Sequence, residues 1–423
     1  MREMKDSGVS WIGEIPEEWE ILNLKTVAYI QTGSTPAKSE QNIYYSTEDG
    51  IPWIKAENLG SFSPISKTKE YLTKEGELEG RIFPENTVFI CCIASVGKVG
   101  YSQIKCSCNQ QINGLVFNSN MFWKYGFYLS VSQEELYSVY ASGNVMKIIN
   151  SERQSRLLCT VPPLNEQQKI ATYLDQKCTQ IDALITNQQK QIERLKAYKQ
   201  SLITETVTKG LNPDVPMKDS GVEWIGEIPE DFSVQNIRSL FTIKKDIIGH
   251  EPDTVLSITR SGIKIKDISE NNGQMADSYA NYQIVNIGDF AMNHMDLLTG
   301  GIGISQYNGV TSPDYRVFNL KDNKMNPRYF LYIFETYYRN KIFYAFGQGA
   351  ANLGRWRLPA KNFYSIYIPV APIEEQQAIV SYLDQKCTQI DKLISIKQQK
   401  IEKLQQYKKS IIYEYVTGKK EVK

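Results

Sequence analysis

The chain has 423 residues, 41% hydrophobic and 11% aromatic, which excludes a disordered polypeptide and allows two or three domains. Its 48 basic and 47 acidic residues leave a net charge of +1, so no overall basic excess marks a nucleic-acid binder, although a balanced chain can still segregate its charge. The polar start MREMKDSG has no signal-peptide core, and the longest apolar run, residues 88–96, falls short of the roughly 20 residues that span a bilayer, so a cytoplasmic protein without membrane contact is expected.

Two stretches occur twice. MKDSGVSWIGEIPE at residues 4–17 returns at residues 217–230 with 13 of 14 positions identical, and YLDQKCTQID at residues 173–182 returns unchanged at residues 382–391. The offsets, 213 and 209 residues, are far longer than solenoid or propeller periods of about 20 to 50 residues, so the chain reads as two equivalent halves. Text between the repeats differs, which points to one frame with two fillings.

In the first half, residues 88–96 and 114–117 read as buried strands, with turns at Gly33, Gly50, Gly60 and Gly97. Seven cysteines, at 91, 92, 106, 108, 159, 178 and 387, fit neither a secreted disulfide framework nor a zinc knuckle, and reduced structural thiols are expected. Pro162-Pro163 ends a strand. Asn165 with Gln168 resembles a capping box, and the run is free of proline and glycine until Gly210. Along it Leu174, Ile181, Gln188, Leu195 and Leu202 fall seven apart, Leu184 and Tyr198 take the companion position, and Ile185 and Ile192 widen the stripe.

In the second half, residues 253–259, 282–285 and 315–319 read as strands, the glycine-rich residues 300–303 as a loop, and residues 327–346 as a helix with proline at its start. The second long helix repeats the stripe with Leu383, Ile390, Leu404 and Ile411, flanked by Leu393 and Tyr407. Polar Gln188 and Lys397 sit in mid-seam, where such residues fix register. A lone helix would leave its stripe wet, so an antiparallel pair is expected. The alternative packs each helix on its own body or on another chain. The domains would then be residues 1–164, a first body; 165–209, a long helix; 210–373, a second body; and 374–423, a second long helix.

Signatures of catalysis are absent. The one Pro-Pro pair lacks the polar residue and aromatic of an amino-methyltransferase loop, and Gly97-Lys98 and Gly418-Lys419 lack the remainder of a Walker loop. With two histidines, His250 and His294, imidazole chemistry is not expected. The chain reads as a binder.

The repeated motif KDSGVxWIGEIP, the junctions Pro162-Pro163-Leu164-Asn165-Glu166-Gln167 and Pro372-Ile373-Glu374-Glu375-Gln376, and the first-body runs Gly33-Ser34-Thr35-Pro36, Gly50-Ile51-Pro52-Trp53, residues 94–100 and residues 108–112 resemble the specificity subunit of type I restriction–modification systems. The second body matches more loosely, at residues 288–290, 303–305 and 312–315. The resemblance implies an α+β fold: two pseudo-repeated mixed α/β target-recognition domains separated by two long antiparallel coiled-coil-like helices. It also implies a non-catalytic subunit, each domain reading one half of a bipartite, asymmetric site in double-stranded DNA. The helices would set half-site spacing and dock two adenine methyltransferase subunits, with a restriction and translocase subunit completing the complex. No cofactor belongs to this chain on that reading; S-adenosylmethionine and ATP with Mg2+ belong to the partners.

Base edges are read by Arg, Lys, Asn and Gln. The candidate DNA-binding residues are therefore Lys55, Asn58, Lys98, Asn109, Gln110, Asn144 and Lys147 in the first body, and Lys244, Lys245, Arg260, Asn293, Asn352, Arg355 and Arg357 in the second. Arg355-Trp356-Arg357 interleaves cations with an aromatic; Trp11 and Trp224, present in both repeats, are expected to pack rather than to touch DNA. The candidate helix-pair or partner interface is Leu174, Ile181, Leu184, Leu195, Tyr198, Leu202, Leu383, Ile390, Leu393, Leu404, Tyr407 and Ile411. Two other readings stay open: a coiled-coil scaffold whose globular domains bind proteins, and a fused enzyme.

Overall fold

The computed structural model describes residues 2–37, 39, 41–143, 147–267, 276–298, 300–349 and 356–422. Two compact units cut across the linear order: Met1–Gln189 with Gln398–Lys423, and Lys190–Lys397. Each unit thus contains one body, the near half of one long helix and the far half of the other. No helix among the described residues is long and apolar enough to cross a membrane.

In the first unit a four-stranded antiparallel sheet runs in the order Val99–Ser102, Thr87–Cys91, Ile112–Phe117, Ala28–Thr32. Every residue of Thr87–Cys91 is buried, as a continuous apolar run requires of a strand covered on both faces. The strand stops at Cys91, earlier than residues 88–96 suggested, because the chain turns through left-handed Ala94 (φ 63°) and Gly97 (φ 96°). A second sheet contains one parallel pair, Ile51–Ile54 beside Cys106–Cys108. Trp19, Tyr125, Phe127, Tyr128 and Tyr137 form the centre of the core. All seven cysteines are free and buried, and burial pushes the Cys106 thiol up to about 12.

The second unit repeats the plan with Phe241–Lys244, Arg316–Leu320, Phe290–Met292 and Ile302–Ile304. Residues 302–303 therefore lie in a strand, which corrects the loop reading. Their glycine neighbours serve close approach instead: a Cβ on Gly301 would lie 2.0 Å from the Thr259 carbonyl oxygen. The helix expected over residues 327–346 is divided into Pro327–Arg339 and Ile342–Ala345 by left-handed Lys341 (φ 59°).

The long helices run Leu164–Lys209 and Ile373–Val416. The first is not started by the Asn165/Gln168 box, because Asn165 Oδ1 accepts from the N–H of Glu166, inside the helix. Gln167 is the side chain that anchors this end. Fully buried, it donates to the carbonyls of Pro162 (2.8 Å) and Asn120 (3.0 Å) and accepts from the N–H of Phe122 (2.7 Å). Gln376 repeats this in the second unit, donating to Ala371 O (2.9 Å) and accepting from Asn326 N–H (2.9 Å). The far helix ends are held equivalently: the buried Tyr125 hydroxyl donates to Val416 O (3.0 Å), and the Tyr329 hydroxyl donates to Val207 O (3.2 Å).

Within each unit the two helices are antiparallel. In the first, Tyr173 packs against Tyr415 with its ring tilted (4.6 Å between centroids) and Asp182 pairs with Lys408 (2.7 Å). In the second, Lys397 bonds Gln191 and Lys199 pairs with Asp391 (2.6 Å). One repeated Asp therefore makes the same bond twice. The buried seam uses Leu174, Cys178, Ile181, Gln188 and Ile192 on one helix and Leu383, Cys387, Ile390, Ile401, Lys408 and Ile411 on the other, with Leu195, Leu202 and Leu404 half-buried.

Four expected seam residues lie outside it. Leu184, Tyr198, Leu393 and Tyr407 are 47%, 56%, 47% and 53% exposed. Positions three and four residues along a helix are both neighbours of a given side chain, so the periodicity offered two stripes. Packing selected the stripe four residues on, that of Cys178, Ile185, Ile192 and Lys199, whose Lys199 and Lys408 stems lead to the aspartates.

Gln167→Leu or Gln376→Leu leaves two or more buried backbone groups unpaired. Each is expected to cost about 2–4 kcal/mol of stability, measured by urea unfolding; an unshifted midpoint would show that the amide is dispensable.

Candidate nucleic-acid interface

In the first body the candidates gather where one end of the four-stranded sheet meets the parallel strand pair. The N–H of Asn109 donates to Ile54 O (3.1 Å), which places the start of residues 109–111 beside Lys55. Cys92 N–H reaches Gln111 O (2.8 Å) and Ala94 N–H reaches Lys147 O (3.1 Å), drawing the Lys98 loop and Lys147 to the same end. Gly33 permits a close approach, since a Cβ there would lie 2.2 Å from Cys108 O. Thr35 and Gln110 are hydrogen-bonded across this junction.

Not all of these side chains are available. Lys55 pairs with Glu70 and lies 4.8 Å from the Trp53 ring centroid. Asn58 Oδ1 accepts the Lys55 N–H (2.8 Å) and closes a turn. Asn109 likewise accepts from Gln111 N–H (3.2 Å). Lys147 donates to Ser138 Oγ (2.9 Å), while Lys98 and Gln110 are exposed. Asn144 lies outside the described residues.

In the second body Lys244, Lys245 and Arg357 line one cleft of about 620 Å3 together with Gln283, His294 and Arg316. Lys244 is held by buried Asp289 (2.6 Å); Lys245 and Arg357 are exposed. Arg260 lines a different hollow, of about 310 Å3, with Glu335, Tyr338 and Arg339. Asn293 Oδ1 accepts from the N–H groups of Met295 and Asp296, so it too shapes a turn. Asn352 and Arg355 lie outside the described residues. Trp356 stacks on Tyr344 and donates to its carbonyl (2.7 Å), so it is a core anchor rather than an aromatic face between two free cations. Trp224 also packs, against Phe346.

His294 and Arg316 were missed. A lone histidine in a loop and an arginine opening an apolar strand carry no signal until the fold buries both in one place. Burial, with Arg316 and Arg357 nearby, holds the His294 imidazole down at about 3, and burial lowers the Arg316 guanidinium to about 10. His294 is therefore neutral and Arg316 charged at neutral pH.

A folded-state value below the ordinary 6.5 means that the unfolded chain takes up the His294 proton first. This contribution to stability is present above about pH 6.5 and is lost as pH falls toward 3. His294→Gln is expected to flatten the pH dependence of the urea midpoint between about pH 7 and 5, by at most about 1.4 kcal/mol per pH unit; superimposable profiles would remove His294 as the cause.

The sequence profile of the type I restriction modification DNA specificity domain matches this chain twice, at residues 16–194 and 229–406. A Methanocaldococcus jannaschii chain described as the specificity subunit of type I restriction enzyme MjaX is 28% identical over 97% of this chain and 96% of its own length. The MjaVIII specificity subunit of the same organism is 25% identical over 97% and 94%. A chain solved in a study of assembly and conformational transition of the type I R-M system shares the fold, with TM-score 0.69 and 13% identity over 95% of this chain and 98% of that one. With two matched domains, each built on the same duplicated frame of Gln, Tyr and Asp side chains, the chain belongs to the type I restriction–modification DNA specificity family.

Proposed function

We propose that this chain is the DNA-reading specificity subunit of a type I restriction–modification complex. Each body reads one half of a bipartite, asymmetric duplex site, and the long helices set the spacing between the half-sites. The observation that carries this reading is the contrast between frame and filling. Gln167 and Gln376, Tyr125 and Tyr329, and Asp182 and Asp391 make equivalent bonds in the two units, whereas the candidate surfaces differ, converging loops in the first body and a cation-lined cleft in the second. A common partner demands identical docking surfaces; different half-sites demand different readers.

The chain makes and breaks no bonds in this scheme. Two adenine methyltransferase subunits supply S-adenosylmethionine chemistry, and a restriction and translocase subunit supplies the ATP- and Mg2+-dependent work, all in the cytoplasm. The docking face for the methyltransferases is the exposed apolar stripe left outside the seam, Leu184 and Tyr407 in the first unit and Tyr198 and Leu393 in the second. Its duplication suits two copies of one partner.

Mapping methylated adenines in the host genome is expected to give a two-part motif, and exchanging the first body for that of a relative should change one part alone. A single continuous motif, or a change in both parts, would sink this reading. Leu184→Asp with Tyr407→Asp should weaken co-purification with the methyltransferase about tenfold or more without lowering the urea midpoint; undiminished co-purification would move the docking face elsewhere.

A further inference from the structure

Arg316 opens the strand Arg316–Leu320, is only 5% exposed, and yet lines the second body's cleft. Its Nη2 donates to Leu358 O (2.7 Å), and its guanidinium lies 4.7 Å from the Phe363 ring centroid. Its Nη1 is buried and has no hydrogen-bond partner among the described residues, and neither has Nδ1 of neighbouring His294. Leaving a buried charged N–H without an acceptor is costly, so such an arrangement points to a ligand that supplies one.

The charge around it indicates the ligand's chemistry. Lys245 and Arg357 face the cleft, Lys244 is already neutralised by Asp289, and no carboxylate is among the described lining residues. A base edge would answer the open N–H but leave the cluster of cations uncompensated; an anionic oxygen answers both. Gln283, the remaining amide among the described lining residues, gives its N–H groups to the carbonyls of Ser312 (2.8 Å) and Tyr315 (2.6 Å), so it is not a free donor to a base.

We propose that this cleft is a socket for one phosphodiester of the DNA backbone, with Arg316 Nη1 as its buried donor and Arg357 and Lys245 at its mouth. His294 Nδ1 adds a second donor in the tautomer that carries its proton there. The socket rests on the DNA-reading function proposed above and assigns it a register contact: the second body is keyed to the duplex by a guanidinium that packing holds in place, and sequence is read elsewhere on that body. A planar, always-charged fork suits this role better than a flexible ammonium.

The test uses the full chain with its methyltransferase partners and a duplex carrying the mapped site. Arg316→Gln and Arg357→Gln are each expected to weaken binding about ten- to a hundredfold, equally on cognate and mismatched duplexes. Each should lower the slope of log affinity against log salt by about one. Replacing backbone phosphates singly by neutral methylphosphonates should reveal one position whose loss matches that of Arg357→Gln and is not additive with it. Arg357 is exposed, so its variant decides the matter if Arg316→Gln does not fold. A changed preference at one base pair with an unaltered salt slope would make the cleft a base reader and overturn the proposal, as would full affinity in a folded Arg357→Gln complex. Failure of the unmutated complex to bind the duplex would instead overturn the DNA-reading function itself.

Discussion

Closure of each body on a helix end is the constraint from which the rest follows. Tyr125 and Tyr329 are buried aromatic residues whose hydroxyls each need an acceptor, and each finds it on the last turns of a long helix, at Val416 and at Val207. The start of the other helix in each unit is fixed by Gln167 or Gln376, whose amides satisfy backbone groups that would otherwise be buried unpaired. Helix start, helix end and body are thereby locked into one compact unit, and the apolar seam is committed to the face that these anchors present. The ion pairs Asp182–Lys408 and Asp391–Lys199 sit on the same seam and match charge to direction. Both aspartates stay exposed to solvent, so the pairs favour the antiparallel sense modestly.

With the frame secured twice by the same bonds, the bodies are free to diverge. Both retain a four-stranded antiparallel sheet, yet the described loops and clefts around it differ between the two bodies. In the first body, strained and tightly apposed loops converge: left-handed Ala94 is tied to Lys147, and Gly33 lies against Cys108. In the second, charge is concentrated in a cleft with a buried guanidinium and a neutral imidazole. A loop cluster and a charged cleft present different donors in different geometries. Left-handed Ala94 and the unpartnered Arg316 Nη1 and His294 Nδ1 lie at these surfaces, places where a fold tolerates local cost.

The duplicated frame was legible because repetition needs no geometry to be seen: residues 4–17 and 217–230, or 173–182 and 382–391, disclose it by themselves. Heptad spacing disclosed the long helices, and buried apolar runs such as Thr87–Cys91 disclosed strands. The strand at Ile302–Ile304 was hidden because glycine signals a turn and an ångström-scale backbone approach with the same letter. Among the candidate readers, residue type identified which side chains could bond a base, but that the Oδ1 atoms of Asn58, Asn109 and Asn293 accept from nearby backbone N–H groups depends on local turn geometry.

Covalent order therefore determined that two copies of one scaffold carry two unlike fillings, since composition and period are properties of the chain itself. Tertiary structure decided which of two adjacent helical stripes closes, because side chains three and four residues along are equally near until a partner helix selects between them. It also decided that Arg316 and His294, 22 residues apart, share one cleft. Burial and electrostatic environment belong to neighbours in space, and those neighbours exist only once the sheet has formed.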